Sequence, residues 1–290
     1  MKIGALETGG TKIVMSIYGE AGQVQARESI PTETPALAMP KLVAFLRGVD
    51  ALGIGSFGPL ELDPSSPAYG SITATPKLAW RNYPLLPKLC EALDLPRECC
   101  AIDTDVNAAA LAEARLGAAQ GLDSVVYVTV GTGIGAGIYA EGKLVHGLMH
   151  PEVGHILLRP MPDDPLPHGV CPYHDGCLEG LAAGPALGKR AGCDARTLAD
   201  DHPAFTMEAH YLAQMCAQLT LTLSPKRIIL GGGVMARKAL YPMIHREMLR
   251  LLNGYLPKLE EQGEGYIVPP ALYPDSGSIG AYLLARALLA

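Results

Sequence analysis

Short apolar runs joined by glycine- and threonine-rich turns dominate the start of this 290-residue chain. An apolar run, the turn Thr8-Gly9-Gly10-Thr11 and a second apolar run predict a β-hairpin. The same pattern returns 121 positions later. The matched pairs are Thr8 with Thr129, Gly10 with Gly131, Thr11 with Thr132, Ile13 with Ile134, Ile17 with Ile138, Tyr18 with Tyr139 and Glu20 with Glu141. This repetition predicts an internal duplication, although glycine-turn hairpins also recur by chance.

After each hairpin, helix-like and strand-like stretches alternate, which is typical of α/β organisation. Helices are predicted over 37–48, 107–118, 178–191, 207–223, 237–252 and 276–289, and strands over 51–56 and 227–230. We expect two duplicated α/β domains with a cleft, residues 1–106 and 107–275. The terminal helix, 276–290, is expected to pack on the first domain.

Composition and charge narrow the class of protein. Hydrophobic residues make up 49% of the chain, enough for a substantial core in each of two domains. The net charge is −6 and the sequence has no lysine- or arginine-rich run, so nucleic-acid binding is not expected. No apolar stretch has membrane-spanning length, and Met1 to Gly4 does not resemble a signal peptide. These features favour a cytoplasmic protein that does not bind membranes.

The glycine turns of the two hairpins are candidate phosphate sites. Glycines allow close backbone approach, so N–H groups and threonine hydroxyls can surround a phosphate. The candidate residues are Gly9, Gly10, Thr11 and Lys12 in the first turn and Gly131, Thr132 and Gly133 in the second. A structural turn explains the glycines equally well, but not the clustering of threonine and lysine. Two such turns facing each other across a cleft would clamp a nucleotide.

The segment 101–107 predicts a second functional region. It runs from the carboxyl end of a strand into an alanine-rich helix, where open α/β sheets place ligand groups. Two carboxylates, Asp103 and Asp105, lie close together there. Asp103 and Asn107 also fit ordinary turn and helix-capping roles.

A third group of residues suggests a metal. Cys171, His174 and Cys177 follow one another with two residues between them, a spacing that can direct three side chains to one zinc ion. The spacing leaves the fourth ligand open among three upstream histidines, His150, His155 and His168. Most other cysteines lie singly in apolar segments and fit small buried hydrophobes.

Together, the two hairpins, the Asp105 region and Ile228 to Val234 resemble the phosphate, connect and adenosine motifs of actin-like (ribonuclease H-like) sugar kinases. The resemblance covers nearly the whole chain and is greatest to the ROK family, above all its zinc-containing bacterial fructokinases. It implies a dimeric, ATP- and Mg²⁺-dependent hexose kinase with a structural Zn²⁺. The hairpins would hold the triphosphate, and the turn formed by Gly231, Gly232 and Gly233 would receive adenosine.

The same resemblance assigns the remaining site residues. Asp105 matches the catalytic base, and His155 is chosen as the fourth zinc ligand. Sugar contacts are implied for Thr104, Glu152, His155 and Glu179, and for a segment that includes Thr75 and Trp80, although Trp80 also fits a core position. Glu7 stands where many relatives carry aspartate, which leaves direct or water-mediated contact with magnesium open.

Several alternatives remain open. The family's repressors carry a DNA-binding module before the kinase-like core. Because the first hairpin begins at residue 3, a repressor is not expected. A sugar sensor would not need Asp105. A mannokinase or glucokinase shares the phosphate motifs, while Thr104 and the long cysteine–histidine loop favour fructose. Because Glu152 and Glu179 adjoin the zinc ligands and the hairpins lie elsewhere in sequence, zinc is expected to support sugar binding and not ATP binding.

Overall fold

A computed structural model describes residues 1–289 as alternating strands and helices. The first part of the chain contains β1 (Lys2–Thr8), β2 (Lys12–Gly19), β3 (Val24–Pro31), α1 (Pro35–Leu46), β4 (Ala51–Ser56), α2 (Leu85–Leu93), β5 (Cys100–Thr104) and α3 (Asp105–Leu116). The second part contains β6 (Val125–Val130), β7 (Ile134–Ala140), β8 (Lys143–Leu144), α4 (Leu178–Ala182), α5 (Gly184–Ala191), α6 (Ala204–Leu223), β9 (Arg227–Gly231), α7 (Leu240–Leu252), α8 (Pro257–Gln262) and β10 (Ile267–Val268). The last helix is α9 (Ser276–Arg286).

The strands of the described residues form two five-stranded sheets with the same topology. Their orders are β3-β2-β1-β4-β5 and β8-β7-β6-β9-β10. In each sheet the opening hairpin is antiparallel, and its first strand pairs in parallel with the strand that follows a helix. Shared order and direction confirm the duplicated α/β organisation predicted from the two hairpins.

The two hairpins nevertheless differ in register. Thr8 pairs with Ile13, which leaves Gly9–Lys12 as the turn, whereas Val130 pairs with Ile134 across a shorter turn. Thr129, the sequence match of Thr8, therefore pairs with Gly135 and not with Ile134. The sequence offset between the hairpins thus matches Thr8 with Thr129, but the strand partner of Thr129 lies one residue beyond the residue that matches Ile13.

The chain divides into two compact units, each formed from more than one segment. Unit 1 comprises Met1–Gly117, Leu144–Pro151 and the chain from Leu272 onward, and unit 2 comprises Ala118–Lys143 and Glu152–Ala271. The boundary expected after residue 106 placed α3 in the second domain, but α3 lies in unit 1. The return of residues 144–151 to unit 1 was also not anticipated.

Helix α3 lies in unit 1 because it packs closely against α9. A side chain at Gly280 of α9 would place its Cβ 1.8 Å from the carbonyl oxygen of Ala108, so the two backbones are in direct contact. Near the C-terminal end of α3, the buried Glu113 accepts hydrogen bonds from the Ser276 hydroxyl (2.7 Å) and the Leu272 N–H (2.9 Å). A glycine contact and a buried carboxylate therefore join the two helices.

The sheet of unit 1 is buried on both faces. One face packs in a cluster that includes Leu6, Leu42 and Ile54, and the other packs Ala5 and Tyr18 against Tyr282 of α9. Trp80 is 1% exposed within the first cluster, and its indole N–H donates to the Glu33 carbonyl (2.6 Å). Trp80 is therefore a core residue of unit 1.

In unit 2 the central strands β6 and β9 are almost wholly buried, and α6 packs against α7. The helix predicted over 178–191 is divided at Ala183, whose backbone is extended. Pro185 at the start of α5 explains the break, because proline cannot donate the N–H that a continuous helix requires there. Within residues 1–289, no helix has the length and apolar character needed to cross a membrane.

Candidate functional site

The first hairpin presents its turn to solvent. The Gly9 N–H donates to the Lys12 carbonyl (2.9 Å), and the Thr32 hydroxyl donates to the Gly9 carbonyl (2.8 Å). Gly10, Thr11 and Lys12 are all exposed. These bonds fix the shape of the turn and leave a positively charged, hydroxyl-bearing loop suited to an anionic ligand.

Two acidic side chains of unit 1 lie at the strand ends beside this turn. Asp105 begins α3, and its Oδ1 accepts from the Val106 N–H (2.9 Å). Burial raises the pKa of Asp105 to about 6. Burial, followed by repulsion from Asp105, raises the pKa of Glu7 to about 7. Both carboxyls therefore have pKa values closer to neutral pH than exposed carboxyls do, as expected of groups that handle protons or cations.

A hydrogen-bonded network fixes the backbone on both sides of Asp105. The Thr104 hydroxyl caps α3 by accepting from the Asn107 N–H (3.1 Å). The buried Asp103 accepts from the Thr104 N–H (2.8 Å) and from the Asn107 side-chain amide (2.7 Å). The helix cap is therefore Thr104, which was expected to contact sugar, whereas Asp103 and Asn107, considered as turn or capping residues, are joined to each other by their side chains.

The second hairpin, in unit 2, is held by groups from outside it. The Gly184 N–H donates to the Gly131 carbonyl (2.8 Å), and the Gly131 N–H donates to the Gly133 carbonyl (2.9 Å). The Ile134 N–H donates to Oε2 of Glu179 (2.9 Å). A Cβ at Gly133 would lie 2.7 Å from that same oxygen, so the glutamate carboxylate lies against the turn. Thr132 is exposed at its tip.

The predicted zinc ligands converge in unit 2. The ligand atoms of His155, Cys171, His174 and Cys177 all lie within 4.8 Å of one another. Nδ1 of His155 is 3.9 Å from the Cys171 sulfur and 3.7 Å from the Cys177 sulfur. A tetrahedral zinc with ordinary bond lengths separates nitrogen and sulfur ligands by about 3.6 Å. The donor set and its spacing therefore fit a closed structural zinc site.

The other two histidines considered as fourth ligand are engaged elsewhere. His168 is exposed and pairs with Asp175 (2.9 Å). His150 lies in unit 1, where its Nε2 accepts from the Leu60 N–H (3.0 Å). Of the three candidates, His155 is the one beside the cysteines.

Residues 152–179, which contain the four candidate zinc ligands and are called the zinc-ligand segment, contact the second hairpin directly. Gly154, next to His155, lies so close to the hairpin that a Cβ there would be 1.9 Å from the Ile134 carbonyl oxygen. Glu179, two residues after Cys177, accepts the Ile134 N–H. The second hairpin, which is distant from these residues along the sequence, therefore lies against them in space.

The third glycine segment follows β9. Gly232 has φ +91°, and a Cβ there would lie 2.4 Å from the Val130 carbonyl oxygen. Gly231 is buried against the Tyr127 hydroxyl, whereas Gly233 is exposed, and a Cβ added to it would meet no atom within 4 Å. Gly232 thus permits a close backbone crossing with the second hairpin, and Gly233 leaves an open surface.

Glu152 lies at the point where the chain enters unit 2, and it is exposed. Its backbone carbonyl accepts from the His155 N–H (3.0 Å) in a short 3-10 helix, Val153–His155. This turn fixes the spacing between Glu152 and His155. Thr75, by contrast, is buried, and its hydroxyl accepts from the Lys77 N–H (3.3 Å).

The chain matches the ROK family over residues 3–288. It belongs to that family. It is 43% identical over its whole length to 99% of a fructokinase of Pediococcus pentosaceus, and 41% identical over 98% of its length to 96% of a fructokinase of Zymomonas mobilis. A solved structure of a Streptomyces griseus ROK glucokinase, in complex with glucose and AMPPNP, is similar at a TM-score of 0.77 and 27% identity, covering 99% of this chain and all of that one. The fold is that of the actin-like ATPases.

Sequence reasoning missed one residue of the unit 1 site. Nε2 of His146 lies 2.9 Å from Oδ2 of Asp103 and 3.4 Å from the Asn107 side chain. His146 stands 43 positions after Asp103, outside any motif, so only the return of residues 144–151 to unit 1 brings it there.

Proposed function

We propose that this protein is a hexose kinase that transfers the terminal phosphoryl group of ATP to a hydroxyl of a free hexose, with D-fructose preferred and fructose 6-phosphate formed. The observation that carries the proposal is Asp105, a partly buried carboxyl at the start of α3 whose charge raises the pKa of Glu7 beside the first glycine hairpin. The identity to fructokinases supports fructose as the substrate.

Asp105 suits the role of general base. The attacking sugar hydroxyl must lose its proton as the phosphoryl group arrives, and a carboxylate within hydrogen-bond reach can accept it. With a pKa of about 6, Asp105 is charged at neutral pH yet more basic than an exposed aspartate. Its bond to the Val106 N–H orients the carboxylate. The surrounding network holds it in place before the substrate binds.

The residues of unit 1 fit a magnesium ion. Glu7 and Asp105 bring two carboxyls together in a partly buried site, where the charge of Asp105 adds to burial in disfavouring the ionisation of Glu7, and a divalent cation would offset that cost. Glu7 would hold the ion directly or through water, with Lys12 nearby to neutralise phosphate charge. Magnesium in such a site neutralises charge that develops on the transferred phosphoryl group.

The residues of unit 2 bind rather than react in this proposal. The turn at Gly131, Thr132 and Gly133 holds phosphates, and the open surface at Gly233 receives adenosine. Glu152, His155 and Glu179 contact sugar hydroxyls, with their positions set by a zinc ion on His155, Cys171, His174 and Cys177. A closed four-ligand zinc has no open position for water, so its role is structural.

The direct test replaces the base. Asp105→Asn keeps an acceptor for the Val106 N–H but removes the proton acceptor, so turnover should fall by about two orders of magnitude or more while binding of a non-hydrolysable ATP analogue persists. In the wild type, turnover should decrease as pH drops through about 6, because Asp105 becomes protonated. Asp63→Asn, at an exposed loop carboxylate of the same unit, is the matched control. Near-normal turnover of Asp105→Asn would refute the assignment of the base.

Substrate choice requires a separate measurement. Coupled assays of ADP formation with fructose, mannose, glucose and N-acetylated hexoses should give the highest kcat/KM for fructose. Higher kcat/KM for mannose or glucose would replace fructokinase by one of those activities. Sugar binding without turnover of any hexose would indicate a sensor.

A further inference from the structure

The segment Leu144–Pro151 lies in unit 1, although the chain on both sides of it belongs to unit 2. Two histidines attach it there. His150 is buried and accepts the Leu60 N–H through Nε2 (3.0 Å). His146 contacts Asp103 at the end of β5 (Nε2 to Oδ2, 2.9 Å), with its side chain 39% exposed. The second attachment lies two residues from Asp105.

Asp103 has its carboxylate oxygens engaged by three groups. Oδ1 accepts from the Thr104 N–H and the Asn107 amide, and Oδ2 faces His146. Thr104 and Asn107 lie on either side of Asp105 and are themselves joined through the helix cap. Whatever orients Asp103 therefore also orients the first turn of α3, which carries Asp105.

The groups around the His146 ring favour its charged form. Asp103 is the carboxylate facing it, and its hydrogen bond raises the pKa of His146 above the usual range, with a smaller contribution from a hydrogen bond to the Leu144 backbone. The other titratable group near the ring is His150, whose pKa burial lowers, so that it stays neutral. Asn107, from α3, adds an uncharged amide 3.4 Å away.

We propose that His146 is a positioning residue for catalysis: it binds Asp103 and so fixes the start of α3, where Asp105 accepts the proton of the sugar hydroxyl. This inference rests on the proposed function, because it assumes that Asp105 is the base. It assigns no chemical step to His146.

The proposal implies a pH effect of defined sign. The hydrogen bond between His146 and Asp103 is strongest while the imidazole is protonated and the carboxylate is charged. As pH rises through the pKa of His146, the ring loses its charge, the bond to Asp103 weakens and Asp105 is held less firmly. Turnover of the wild type should therefore decrease on the alkaline side as well as below pH about 6.

The experiment compares His146→Ala, His146→Gln and wild type in the full-length protein. His146→Ala should lower kcat by about tenfold or more, since small misplacement of a catalytic group has large effects, with little change in binding of the ATP analogue. His146→Gln keeps a neutral donor that does not titrate, so it should restore much of kcat and remove the alkaline decrease. His210→Ala, which removes a histidine from a carboxylate pair in unit 2 (His210 to Glu247, 2.6 Å), is the matched control.

Three outcomes decide the matter. A loss of kcat in His146→Ala that His146→Gln reverses, together with loss of the alkaline limb, supports the proposal. Wild-type kcat in His146→Ala across the pH range overturns it, even when Asp105→Asn is inactive. Equal loss of kcat and thermal stability in both variants also overturns it, because His146 would then serve folding alone. Normal turnover of Asp105→Asn would instead refute the proposed base itself, a failure recognisable without any His146 variant.

Discussion

Glu179 offers a quantitative test of how the zinc-ligand segment serves nucleotide binding. Its Oε2 accepts the Ile134 N–H of the second hairpin at 2.9 Å, a charge-assisted bond of about 1.5–3 kcal/mol. In Glu179→Gln a neutral acceptor remains, and neutral bonds contribute roughly 0.5–1.5 kcal/mol. The hairpin should therefore lose about 1–1.5 kcal/mol of support. If nucleotide binding must restore the order of the hairpin, the affinity for nucleotide falls about five- to thirteenfold.

Calorimetric titration with a non-hydrolysable ATP analogue in the absence of sugar measures this effect without catalysis. Glu152→Gln is the matched control, since Glu152 also lies within three residues of a candidate zinc ligand, His155, but at the start of unit 2. Glu152→Gln should raise the KM for fructose and leave the Kd of the ATP analogue unchanged. Glu179→Gln should change that Kd whether or not it also contacts sugar.

The contrary result is equally clear. If Glu179→Gln binds the analogue as the wild type does and only the KM for fructose rises, then Glu179 is a sugar contact alone. The zinc-ligand segment would then support sugar and not nucleotide, as sequence separation alone suggests, despite the contact with Ile134.

Two further predictions concern the proposed zinc ion and the glycine turn that follows β9. Cys177→Ser should reduce bound zinc well below about one ion per chain, as measured by elemental analysis, and lower Tm by several degrees, as measured by calorimetry. Cys193→Ser, at an exposed cysteine outside the cluster, should change neither quantity. An active Cys177→Ser protein with the wild-type Tm and no zinc would contradict the structural role of zinc. Gly232→Ala places a Cβ 2.4 Å from the Val130 carbonyl oxygen at a residue with positive φ. Thermal unfolding should therefore show that the free energy of unfolding falls by about 1–3 kcal/mol in Gly232→Ala and does not fall in Gly233→Ala. Equal stability of the two variants would contradict the close contact between the two backbones.

The sequence predicted those parts of the molecule that depend on local pattern. The strand Ala51–Ser56 occurs at the predicted positions, and the helix predicted over 107–118 begins at Asp105. The cysteine–histidine cluster could be found because three of its members share one loop, where short spacing limits the distance between side chains. The fourth, His155, needed the family resemblance.

Contacts between distant segments could not be predicted in this way. His146 reaches Asp103, and Glu179 reaches Ile134, through the return of separate parts of the chain to one unit. Both are single polar residues in loops or short helices, with no periodicity to indicate a partner. Similarly, α3 was assigned to the wrong domain because its packing partner, α9, lies far along the chain, beginning only at Ser276.

The two hairpins show where the duplicated halves have diverged. In unit 1, β1 carries Glu7, whose pKa is raised to about 7 by burial and by Asp105. The matching position in unit 2, by the same offset that relates the two turns, is Val128, which is fully buried and cannot bind a cation or a proton. The second hairpin instead receives a carboxylate from outside, where Glu179 accepts a backbone N–H and so fixes the turn. The sheets have kept one strand order, so the differences lie in the register of the hairpins and in the side chains at the strand ends. In the proposed function, proton and metal chemistry therefore belong to the hairpin of unit 1, and the hairpin of unit 2 holds phosphate.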